Sequence, residues 1–138
     1  MPEAREVDLH ALAAEAQALW RRLPPGSVIW LSGDLGTGKT AFVQALARAA
    51  GAQAARSPTF ALVHRYASPA GAIAHVDCYR LRSPDEALDL DFPGLFHSSR
   101  IVAVEWPERA GPYAPAPDVH LRFTYAEDPN HRVLEHVA

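Results

Sequence analysis

The chain has 138 residues, with 49% apolar and 21% charged side chains and a net charge of −3. That is enough for one domain (residues 1–138) with a real core and too little for a second, and no basic block offers a charge-driven grip on nucleic acid. One cysteine, Cys78, excludes an internal disulfide and suits a reducing cytoplasm; no stretch reads as a signal peptide or spans a bilayer, so a cytoplasmic protein with no membrane partner is expected.

Asp8 is placed to cap a helix running to about Leu23, with Leu9, Leu12, Ala13, Ala16, Leu19 and Trp20 on one face. Pro24-Pro25-Gly26 ends it, and the apolar run Val28-Ile29-Trp30-Leu31 reads as a strand. A glycine-rich loop follows, and then a helix over residues 40–50 with Gly51 as its stop. Ala61 to Tyr66 and Ile73 to Asp77 read as strands joined by Ser68-Pro69-Ala70-Gly71, so 60–77 is expected to form a hairpin. Ser83 caps a short helix from Pro84 to Leu90, and Ile101 to Glu105 is a buried strand. Pro107 to Pro117 reads as proline-rich loop. Val119 to Tyr125 and Val133 to Val137 face each other across Glu127-Asp128-Pro129-Asn130. The sum is an α/β fold of the P-loop NTPase kind: a mixed sheet with a parallel centre, antiparallel hairpins and helices on its faces.

The glycine loop carries the chemistry. Gly33-Asp34-Leu35-Gly36-Thr37-Gly38-Lys39-Thr40 has the spacing G-x-x-x-x-G-K-T. Its glycines let successive backbone N–H groups turn inward toward phosphate oxygens. Lys39 is the only lysine in the chain, beside twelve arginines, so a compact ammonium charge is kept at this one place. Lys39 can reach the β- and γ-phosphates of a nucleotide, and the Thr40 hydroxyl is the expected magnesium ligand. Strand, loop and helix come in the order that places a helix N-terminus behind the anion site.

A phosphate site of this kind needs an acidic partner for magnesium at the end of a neighbouring strand. Asp77 and Glu105 each end an apolar strand and are the candidates. Asp34 stands at an open position of the loop pattern. Thr59, in Ser57-Pro58-Thr59-Phe60, lies where switch segments of nucleotide hydrolases touch the γ-phosphate or magnesium, although the tetrapeptide also suits an ordinary strand entry. Trp106 could stack on a base or a partner, or fill the core beside a proline turn. His64 and His75 face each other across the expected hairpin, but no ligand spacing joins them, so they read as core or surface histidines.

Four runs occur in order: Gly-Asp-Leu-Gly-Thr-Gly-Lys-Thr at 33–40, Ser-Pro-Thr-Phe at 57–60, His-Val-Asp-Cys-Tyr-Arg at 75–80 and Glu-Trp-Pro-Glu at 105–108. Together they resemble the TsaE family (also called YjeE), small bacterial ATPases of tRNA threonylcarbamoyladenosine biosynthesis. The resemblance implies a mixed sheet around a P-loop core, with ATP bound by residues Gly33 to Ala41. It implies magnesium on Thr40 and Glu105, Asp77 beside the nucleotide, Thr59 in a switch loop, and Trp106 and Arg132 near the site. It also implies subunits similar to TsaD and TsaB as partners, with tRNA reached only through them. Three departures stand out: Ala41 replaces a second threonine, Cys78 replaces a leucine, and Asp91 stands where the family often has glycine.

Other functions fit less well. A small-molecule P-loop kinase needs an acceptor pocket and a basic lid, and only Arg80, Arg82 and Arg100 are available for one. A guanine-reading Asn-Lys-x-Asp run cannot exist, since Asn130 is the only asparagine. A nucleotide-bound scaffold without hydrolysis stays open, because no water-positioning group stands out. No arginine is placed as a finger in cis, a part whose loss costs about a thousandfold or more in rate. The expectation is a slow ATPase whose hydrolysis depends on partners.

Overall fold

The computed structural model describes residues 3–52 and 62–137; the Ser57-Pro58-Thr59-Phe60 run, and Thr59 with it, lies outside the described residues. Asp8 caps α1 (Leu9–Arg22), its carboxylate accepting from the Ala11 N–H at 2.8 Å. Leu12, Ala16, Leu19 and Trp20 are buried as their spacing requires. Leu9 is not: it is 73% exposed, because it opens the helix and lines the rim of a cleft instead of the core.

The described residues form a seven-stranded sheet. It contains β1 (Glu3–Val7), β2 (Ser27–Ser32), β3 (Val63–Tyr66), β4 (Ile73–Asp77), β5 (Ile101–Glu105), β6 (Val119–Tyr125) and β7 (Arg132–Val137). Their order across the sheet is β1-β7-β6-β2-β5-β4-β3. The centre is parallel, with β2 between β5 and β6, and β4 on the far side of β5. The hairpins β3–β4 and β6–β7 are antiparallel, as is the β1–β7 pair. The mixed sheet with a parallel centre matches the sequence-based expectation.

Alternation along the strands sorts the core onto two faces. Ile29, Leu31, Ile73, Ile101, Ala103, Leu121 and Phe123 pack with α1 and with Phe42, Val43 and Leu46 of α2 (Lys39–Ala49). Val28, Ala74, Val76, Val102 and Val104 pack with Leu81, Ala87, Phe92, Leu95 and Ala110 on the other side. That second layer comes from short pieces: a 3-10 helix Pro84–Leu90, α3 (Phe92–Ser98) and a 3-10 segment Pro107–Tyr113. The last corrects the reading of 107–117 as plain loop. Buried Pro107 and Ala110 anchor it to the sheet.

Asp91 adopts φ 53° and ψ 59°, the left-handed conformation that glycine reaches without strain. Its carboxylate offsets that cost by capping α3, accepting from the Gly94 N–H at 3.2 Å.

Candidate active site

The glycine loop joins β2 to α2. Gly33 has φ 138°, and a Cβ there would stand 2.3 Å from the Phe123 carbonyl oxygen, so only glycine passes between the two strands. Gly38 precedes α2 at φ 105°, which turns the chain into the helix without a side-chain cap. The N–H groups of the first helical turn are thereby left facing the loop's concavity. Thr37 is buried and staples the loop, its hydroxyl donating to the Asp34 carbonyl at 2.7 Å. Two side chains of the β6–β7 hairpin brace it from outside. The Tyr125 hydroxyl donates to the Leu35 carbonyl, and Arg132 donates to the Gly36 carbonyl at 3.4 Å.

Both strand-end carboxylates arrive beside this loop. β4 and β5 run parallel with Asp77 opposite Glu105, and Leu31 of β2 also pairs with Glu105. The C-terminal ends of three parallel strands therefore meet where the loop begins. Lys39, Thr40, Asp77, Glu105 and Trp106 line one cleft of about 290 Å³. Lys39 is only 4% exposed; its ammonium donates to the Gly33 carbonyl, lies 4.0 Å from Glu105 Oε1 and sits 4.4 Å from the centre of the Trp106 ring. Burial pushes its pKa below the ordinary lysine value, against the pull of Glu105 and Asp77. Asp77 Oδ1 accepts from the Tyr79 N–H at 3.0 Å.

The sequence reading missed the partner of Glu105. His75 Nε2 is hydrogen-bonded to Glu105 Oε2, and both side chains are buried. His75 therefore belongs to the site. The signal was present in the alternation of β4: His75 and Asp77 share a face, and parallel pairing sets His75 diagonal to Glu105. His64 does face His75 as expected, with ring centres 5.8 Å apart, and burial followed by the nearby His75 holds its pKa low.

Trp106 adopts φ 54° directly after Glu105, a conformation uncommon outside glycine. Its ring packs 5.1 Å from Tyr79, and the exposed Arg109 guanidinium lies 5.9 Å from its centre. Arg100 is engaged elsewhere, 4.1 Å over the Trp20 ring and donating to the Trp20 and Ala70 carbonyls. Cys78 is buried with its thiol pushed up to about 12 by burial, which makes it inert.

A second, larger cleft of about 450 Å³ adjoins the first through Gly38 and Ala41. Val7, Leu9, Leu12, Asn130 and Arg132 line it, and Arg132 Nε is buried without a partner among the described residues. The donors gathered at the first cleft suit magnesium. They are hard oxygens: the Thr40 hydroxyl, the Glu105 oxygen not taken by His75, and Asp77. Among the described residues no cluster of three or more His, Cys, Asp or Glu is placed to hold a metal ion. No helix among the described residues is long and apolar enough to cross a membrane.

Known proteins resemble this chain over most of its length. The family model described as "Threonylcarbamoyl adenosine biosynthesis protein TsaE" matches residues 7–134. A tRNA threonylcarbamoyladenosine biosynthesis protein TsaE of Aquifex aeolicus is 43% identical over 110 residues, covering 78% of this chain and 75% of the relative. The protein of the same name from Nostoc sp. is 39% identical over 115 residues, covering 80% of this chain and 70% of the relative. The crystal structure of YdiB from Bacillus subtilis superposes with a TM-score of 0.73 at 26% identity, over 100% of this chain and 87% of that one.

Proposed function

This chain belongs to the TsaE family, and we propose that it is the ATP-binding, slowly hydrolysing component of bacterial tRNA threonylcarbamoyladenosine biosynthesis. It acts in the cytoplasm with subunits similar to TsaD and TsaB, which hold the tRNA. The observation that carries the reading is the meeting of Lys39, Thr40, Asp77 and Glu105 in one cleft at the end of a glycine loop.

In this reading the loop N–H groups and the N-terminus of α2 bind the phosphates. The Lys39 ammonium leaves the Gly33 carbonyl to neutralise the β- and γ-phosphates. Thr40 and Glu105 would hold magnesium, which would supply further charge neutralisation. Asp77, tied to the Tyr79 N–H through one oxygen, is free to orient a water with the other. The adjoining cleft of about 450 Å³ receives the nucleoside, with Arg132 at its wall. Arg109 is exposed and stacked on Trp106 and Tyr79, not fixed against the phosphate cleft, so hydrolysis without a partner is slow.

Calorimetric titration with ATP and magnesium, paired with phosphate release, tests the reading. We expect saturable binding with turnover that rises when the TsaD–TsaB pair is added. A folded protein that binds no ATP would overturn it.

A further inference from the structure

His75 is buried on β4, diagonal to Glu105 on β5, and its ring is backed by His64 on β3 at 5.8 Å between centres. Its Nε2 is bonded to Glu105 Oε2, while Glu105 Oε1 is the oxygen that lies 4.0 Å from the Lys39 ammonium. We propose that His75 is a positioning residue: it fixes the Glu105 carboxylate so that one oxygen alone is presented to the phosphate cleft. The proposal rests on the reading of Glu105 as the carboxylate that serves that cleft.

Two physical points carry it. A buried imidazole–carboxylate pair is costly to desolvate, and apolar side chains of similar volume hold a strand junction at least as well. Packing alone thus gives no reason for a histidine at this place. Secondly, an unheld glutamate can turn its carboxyl plane and so offer both oxygens, one or neither to the cleft. The bond to His75 removes that freedom and leaves Oε1 turned toward Lys39. Among the described residues, the charged and titratable groups near the pair include His64, Tyr66, Asp77 and the Lys39 ammonium, with the Trp106 ring against Lys39.

The test compares His75→Leu, His75→Gln and His75→Asn. Glutamine can place an N–H near the position of Nε2; asparagine is one bond too short. Two readouts are used: Mn²⁺ binding to the protein–ADP complex by electron paramagnetic resonance, and kcat against KM for ATP. We expect His75→Leu and His75→Asn to weaken Mn²⁺ binding and lower kcat by about 10–100-fold, the range seen when a ligand's supporting partner is lost. KM for ATP and metal-free ADP affinity stay within about twofold of wild type, since the loop and Lys39 are untouched. His75→Gln restores most of both. If His75→Leu does not fold, the glutamine–asparagine pair decides: equal behaviour of the two overturns the proposal. Glu105→Gln separates the two levels. If it weakens Mn²⁺ binding and His75→Leu does not, the positioning role is wrong. If neither weakens it, the reading of Glu105 is what fails, and the positioning role falls with it.

Discussion

The Lys39 ammonium lies 4.4 Å from the centre of the Trp106 ring while it donates to the Gly33 carbonyl. The protein's own groups thus hold the one lysine charge of the chain at the mouth of the glycine loop. Lys39→Met should lower ATP affinity by about 10–100-fold, the worth of one or two charge-assisted hydrogen bonds. It should also cost the nucleotide-free protein some stability near neutral pH, because the buried Glu105 carboxylate and the Gly33 carbonyl lose a partner, a loss that relief from burying the ammonium offsets only in part.

The same burial gives a pH signature. Lys39 has a lowered pKa in the folded chain, so the unfolded chain holds this proton more tightly. Wild-type stability should therefore rise as pH climbs from the lowered value toward the ordinary 10.5, and Lys39→Met should lack that rise. Denaturant melts of both proteins across the alkaline range check this, the difference between them isolating Lys39.

Asp77→Asn and Glu105→Gln should each reduce ATP hydrolysis by about 100-fold with small changes in melting temperature. Glu105→Ala behaves differently. It leaves Lys39 and His75 facing a buried gap and should cost about 3–5 kcal/mol of stability. Phosphate release and thermal melts on the three variants separate chemistry from folding.

The central strands and the loop were legible because their signals are local: an apolar run, glycines at fixed spacing, and helix formers after Lys39. The partnership of His75 with Glu105 was not, because it depends on which strands are neighbours. Spacing in the chain gives the face of His75, but only the β4–β5 register sets it beside Glu105. β1 also escaped notice. Glu-Ala-Arg-Glu-Val lacks an apolar run, and it is a strand because β7 offers it an edge. α3 was hidden by Pro93 and Gly94, poor helix residues that are tolerated in its first turn, where Asp91 supplies the cap. The bracing of the loop by Tyr125 and Arg132 likewise follows from β6 lying next to β2.

The cleft that adjoins the loop through Gly38 and Ala41 is assigned to the nucleoside. Ala41→Phe should fill it. Affinity for ATP and ADP should drop at least tenfold, about 1.4 kcal/mol, while inorganic triphosphate, which needs only the loop, binds as before. Adenine nucleotides should outcompete guanine nucleotides in the wild type. Competition with a fluorescent nucleotide measures all of these.

His131 Nδ1 lies 3.1 Å from Glu6, joining the β6–β7 turn to β1. The hydrogen bond with Glu6 raises the His131 pKa above its ordinary 6.5. The contact's contribution is full below pH 6.5 and is lost as pH rises through the raised value. Glu6→Gln should bring the His131 pKa down toward ordinary, and amide exchange in β1 of the wild type should quicken from pH 6 to 8 beyond its intrinsic rise. Titration by NMR reads the first and protection factors read the second.

If ATP chemistry at Lys39, Thr40, Asp77 and Glu105 serves repeated modification of tRNA, its readout is multi-turnover formation of threonylcarbamoyladenosine in a system reconstituted with the TsaD–TsaB pair, tRNA and the modification substrates. Product formation should continue with this chain and ATP, and stop near one turnover with Asp77→Asn or with a non-hydrolysable ATP analogue. Repeated turnover without this chain, or undiminished turnover with Asp77→Asn and Glu105→Gln, would refute that coupling.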